Sequence, residues 1–182
     1  MFYFNRINYI AQQHVKFSRS LEKKINEFSL RPIVLTRNIF DIIISLRDHI
    51  RTESLIGPMT FIPYSAAEWS DEKLEIFLAR TCIPWYLSFY LSWQECREKI
   101  MINYTDFVND PITIINKICN YADIEVDRKQ IKLIIEKGSN SFTRKNKGID
   151  GRGDNIHPKA RDHIIEIASY YNEYDLKSIG LG

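Results

Sequence analysis

A chain of 182 residues, 45% hydrophobic and 13% aromatic, can bury a sizeable core and reads as one domain over residues 1–182. Its 25 basic and 23 acidic side chains leave a formal charge of +2, which demands no polyanion such as DNA and confines any anion site to a local cluster. No apolar run reaches the ~18 to 20 residues of a membrane span, and Cys82, Cys96 and Cys119, odd in number and without metal or redox spacing, read as reduced packing thiols in a cytoplasmic setting.

The opening stretch "MFYFNRINYIAQQH" breaks its apolar run with Asn5 and Arg6, unlike a signal peptide or an anchor. Residues 18–29 carry Leu21, Ile25 and Phe28 at helical spacing behind Ser18, a helix that feeds the strand "RPIVLTR". That strand lacks polar alternation, as expected of a parallel strand covered on both faces. Asn38 followed by Asp41 then predicts an N-cap with an acid at N3, and a helix from about Ile39 to Arg51.

Residues 52–66, with Gly57, Pro58 and Pro63, read as a loop, and Ser70 with Asp71 and Glu72 opens a helix that Pro84 either ends or follows as the start of another. Trp85, Phe89 and Trp93 fall at i, i+4 and i+8, a stripe expected to serve the core. "EKIMINY" is a second buried strand with Thr105 and Asp106 at its carboxyl end; Asp110-Pro111 begins the next helix, and residues 127–137 form another. Residues 142–155, "FTRKNKGIDGRGDN", are a loop with four basic side chains and three glycines, followed by a helix from Pro158 to about Tyr174.

Four features converge on an anion: Arg37 at a strand end, Ser45 on the following helix, Tyr104 at the second strand end and the basic glycine loop. Taken singly, each is weak: a strand-end arginine is ordinarily a surface ion pair, a helix serine is ordinarily solvated, and a glycine-lysine loop is ordinarily a turn. Their order and spacing resemble the sulfotransferases that use 3'-phosphoadenosine 5'-phosphosulfate (PAPS). In that family a strand ends in Arg, often as "RNP.D...S", and the serine eight residues on shares the 3'-phosphate with it; here Arg37 and Ser45 are eight apart. "NYTDF" resembles the family's tyrosine-acid motif and puts Tyr104 near the adenine, with Thr105 departing from the usual acid. "NKGIDGRG" is similar to the glycine loop that closes on the 3'-phosphate: Lys147, Gly148 and Gly151 fit, while Asn146 holds the arginine position and Arg144 or Arg152 is left to supply its charge.

The resemblance implies a three-layer, P-loop-like α/β fold around a central parallel sheet, and sulfuryl transfer from PAPS to a hydroxyl or amine without a metal. It makes His14, 23 residues before Arg37, the general base, since a neutral imidazole can take the acceptor's proton. His49, His157 and His163 lack that framing and read as structural or solvated. Nothing before His14 resembles the family's 5'-phosphosulfate loop, so the sheet is expected to be incomplete at its N-terminal side, with an exposed edge that favours association with a second copy. The sequence does not single out the acceptor, and the resemblance leaves a small molecule, a glycan and a lipid open. The rival reading is a non-catalytic module that binds nucleotide or protein without turnover.

Overall fold

The computed structural model describes residues 9–56, 59–140 and 151–182. Strand β1 (Ile33–Thr36) lies parallel to β2 (Ile100–Asn103), with Val34 opposite Met101 and Thr36 opposite Asn103. These are the two strands of the described residues, so the sheet is smaller than the one the resemblance implies, and the architecture shown is α/β with a small parallel sheet.

Helix α1 (Arg19–Glu27) precedes β1 and α2 (Ile39–Thr52) follows it. The corner between β1 and α2 is set by short-range chemistry: Asn38 Oδ1 accepts from Phe40 N at 2.9 Å and from Asp41 N at 3.4 Å, satisfying two of the N–H groups a helix start leaves open. Helices α3 (Asp71–Thr81) and α4 (Ile83–Gln94) meet at Cys82, and Pro84 starts the second of them in the first turn, where its missing N–H costs nothing. After β2 the chain turns at once into α5 (Tyr104–Asn109), which Asn103 caps by accepting from Thr105 N. The strand expected to run to Tyr104 therefore stops one residue earlier. Helices α6 (Pro111–Tyr121), α7 (Arg128–Asn140) and α8 (Pro158–Ser169) complete the described helices.

The main core gathers Ile43 of α2, Leu74 and Leu78 of α3, Ile83 and Leu87 of α4, and Ile164 of α8, all without solvent exposure. Each such side chain contributes about 1.5–3 kcal/mol over an exposed position. A smaller cluster joins Ile25, Val34, Trp93 and Cys96 beneath Phe17. The aromatic stripe of α4 divides: Trp93 is buried against Phe17, whereas Trp85 stacks on Phe89 at 5.4 Å and stays half-exposed.

The segment after α8 folds back over both strand ends. Tyr90 Oη donates to Asp175 O, Asn103 Nδ2 donates to Ser178 O at 2.9 Å, and Leu176, Ile179 and Leu181 are buried in the main core. Gly180 sits there at φ +82°, where a Cβ would come within 2.5 Å of Asn38 Nδ2, so no other residue fits without moving the cap.

The thiols sort by depth. Burial pushes the Cys82 thiol up to about 11 and raises Cys96 above its ordinary value, while Cys119 is half-exposed. A thiol reagent near pH 8 is expected to titrate Cys119 alone in the folded protein and all three after denaturation, because the thiolate is the reacting species. Rapid labelling of Cys82 in the native protein would contradict the packing at the α3–α4 junction.

Candidate functional site

Because Thr36 and Asn103 are paired in register, the residues that follow them, Arg37 and Tyr104, leave the sheet side by side. The Arg37 guanidinium carbon stands 4.4 Å from the centroid of the Tyr104 ring, a cation–π contact. Its Nε lies 3.8 Å from Asp41 Oδ2, one helical turn on. A mostly buried guanidinium is thus held against a ring on one side and a carboxylate on another.

Asp41, Ser45 and Asp48 follow one another on the same stripe of α2, at intervals of four and three. The segment 151–153 crosses that stripe. Gly151 N donates to Asp41 Oδ2 at 3.1 Å and Gly153 N donates to Asp41 Oδ1 at 2.5 Å, while Arg152 Nη2 meets Asp48 Oδ2 at 2.5 Å. Ser45, half-buried, occupies the stripe between the two acids. Arg161 fastens the segment from the far side, donating to Gly153 O at 2.7 Å while its guanidinium lies over the Phe40 ring. Arg144, Asn146, Lys147 and Gly148 lie outside the described residues; the part of the same loop that is described rests on α2 beside Ser45.

His14 is exposed in the segment without regular secondary structure ahead of α1. Its neighbours bind that segment to α4: Val15 O accepts from Trp93 Nε1, Lys16 Nζ donates to Ser88 Oγ, and Phe17 N donates to Ser92 Oγ. Among the described residues no hydrogen bond or ion pair joins His14 to Arg37 or Tyr104. The other histidines do structural work. His157 caps α8 by accepting from Lys159 N, His163 bonds Arg80, and His49 pairs with Glu53.

Sequence reasoning missed two acids. Asp41 was legible as an N3 acid, but its complete burial and its bonds to a segment more than a hundred residues away were not. Glu75 reads as one more polar position of α3, yet it is buried, taking Arg47 Nη1 at 2.5 Å on one oxygen and His157 N at 2.7 Å on the other. A groove of about 490 Å³ on α3, lined by Trp69, Lys73, Phe77 and Arg80, includes none of the residues around Arg37.

Strand-end arginine, ring, helix serine and glycine segment are therefore neighbours in space as well as in motif order. No curated protein matches the chain. The family model of the sulfotransferase domain matches residues 6–150, most of the chain, with Arg37, Ser45 and Tyr104 inside the matched region. The chain belongs to the sulfotransferase domain family.

Proposed function

We propose that this chain grips PAPS by its nucleotide end and serves sulfuryl transfer to a hydroxyl or amine of a small molecule, glycan or lipid, in a reducing cytoplasmic setting. The observation that carries the reading is the Arg37 guanidinium packed on Tyr104 at two adjacent strand ends, beside the Ser45 stripe of α2. In this reading Arg37 and Ser45 hold the 3'-phosphate and Tyr104 lies against the adenine. The same reading, on the family resemblance alone, assigns Arg144, Asn146, Lys147 and Gly148 to that phosphate. Family members generally use PAPS as co-substrate, and the residues described here suit its nucleotide: a fixed fork of donors for the phosphate and a ring for the base.

In the transfer step the acceptor oxygen or nitrogen forms a bond to sulfur as the bridging bond to the 5'-phosphate oxygen breaks. The products are the sulfated acceptor and 3'-phosphoadenosine 5'-phosphate, and the acceptor's proton goes to His14. We read the small sheet as part of a three-layer, P-loop-like fold. Ile33 and Leu35 of β1 support this, being 36% and 56% exposed on a strand that has one partner among the described residues. Such a strand also suits contact with a second copy.

Calorimetric titration with 3'-phosphoadenosine 5'-phosphate and with adenosine 5'-phosphate tests the reading. The first is expected to bind about 10²-fold tighter, the worth of two charge-assisted hydrogen bonds to the extra phosphate. His14→Ala is expected to leave both affinities unchanged while removing turnover. Equal affinities in a folded sample would overturn the 3'-phosphate assignment.

A further inference from the structure

We infer that Asp41 is a positioning residue that welds the two halves of the proposed phosphate site together: its buried carboxylate holds the segment Gly151–Gly153 on α2 and orients Arg37. This rests on the 3'-phosphate reading above and goes past the family match, which ends at residue 150.

An acid at N3 that merely favoured its own helix would sit at the surface near the first-turn N–H groups. Asp41 instead has no solvent exposure, a costly place for a carboxylate unless each oxygen is satisfied. Oδ1 is taken by Gly153 N and Oδ2 by Gly151 N, with Arg37 Nε at 3.8 Å supplying the compensating charge. Both carboxylate oxygens thus bind a distant piece of chain, with Arg37 at coulombic range of the same group.

The approach needs a glycine at 153 and is favoured by one at 151, where a side chain would meet no atom but would strain the backbone. Gly151 has φ +77°, in the left-handed region, and a Cβ on Gly153 would stand 2.5 Å from Phe40 Cβ and 2.7 Å from Asp41 N. Between them Arg152 reaches Asp48, so three consecutive residues address two acids of the α2 stripe, with Ser45 between those acids. Loop and helix are thereby held at one spacing before any ligand arrives. A site organised in advance loses less on binding than one that must be assembled by the anion.

Asp41→Asn keeps the shape but replaces one acceptor oxygen by an NH2 group that faces a glycine N–H. Affinities for 3'-phosphoadenosine 5'-phosphate and for adenosine 5'-phosphate are measured by calorimetry on wild type and variant, with thermal melts alongside. The inference expects the ratio of the two affinities to fall by about tenfold in a folded variant. A purely structural acid would lower the melting temperature and leave that ratio alone, and that result overturns the inference. Gly153→Ala, which pushes the segment off α2 and leaves the carboxylate intact, is expected to lower the ratio likewise, and it decides the matter if Asp41→Asn does not fold. If wild type itself shows no preference, the 3'-phosphate reading fails and this inference with it. If wild type discriminates and the variants discriminate equally, only the role of Asp41 is lost.

Discussion

Replacing Arg37 by alanine is expected to lower affinity for 3'-phosphoadenosine 5'-phosphate by about a hundredfold and to change affinity for adenosine 5'-phosphate by no more than about threefold. The asymmetry follows from where the guanidinium stands. It is backed by the Tyr104 ring and edged by Asp41, so it is already immobile, and little of its interaction energy is lost to ordering the side chain. Arg37→Lys keeps a charge but not the planar fork, and an intermediate loss of about tenfold is expected. Asp41 keeps its two glycine N–H partners in both variants but loses its compensating charge in Arg37→Ala, so thermal melts accompany the titrations and Arg37→Lys, which retains the charge, carries the comparison if the alanine variant is unfolded. Parallel loss of both nucleotides would instead mean that Arg37 supports the adenine side through Tyr104.

Arg47→Ala is expected to destabilise the protein by about 3–5 kcal/mol, because it strands a buried carboxylate. Glu75 is 1% exposed, and Arg47 is its charge partner; the second oxygen is committed to His157 N at the start of α8. Removing the guanidinium leaves a charge that water cannot reach. Arg51→Ala is the control. Its ion pair is with Asp71, a half-exposed carboxylate, so its cost should stay below about 1 kcal/mol. Urea unfolding separates the two through the midpoint at constant slope. A double variant, Arg47→Met with Glu75→Leu, should recover much of the loss, since two apolar side chains of similar volume leave no buried charge. Equal midpoints for Arg47→Ala and Arg51→Ala would show that Glu75 finds water or another partner.

The corner at Arg37 was legible in the sequence because everything that makes it is local: an apolar strand, a capping Asn38, an acid three residues on, and Ser45 two turns along the helix. The family assignment, which joined that corner to "NYTDF" and the glycine loop, was borne out. What could not be read was whatever depends on contacts far apart in the chain. Six residues of α5 were hidden because the strand-like run "IMINY" continues smoothly through Tyr104, and only the Asn103 cap stops it. The burial of Asp41 and Glu75 has no local signature at all, since a carboxylate on a helix is ordinarily solvated. Their partners, Gly151, Gly153 and His157, are supplied by a later stretch of chain that packs there for reasons of its own, including the close approach of Gly153 to Phe40. Strand number is likewise a property of the assembled sheet.

The fold-back of residues 175–181 also bears on the order in which the molecule is made. Asn38, which starts α2, has Gly180 pressed against its side chain, and Asn103, which ends β2, donates to Ser178. During translation β1, its cap and α2 are made long before Gly180, and the surroundings of that cap are incomplete until Gly180 has been added. The nascent chain must therefore carry an open strand-end corner while all the residues between α2 and Gly180 are added, with the pocket for Leu176, Ile179 and Leu181 unfilled. Closure of that corner is a long-range, late event, and the interval before it is when a ribosome-associated chaperone would have most to hold.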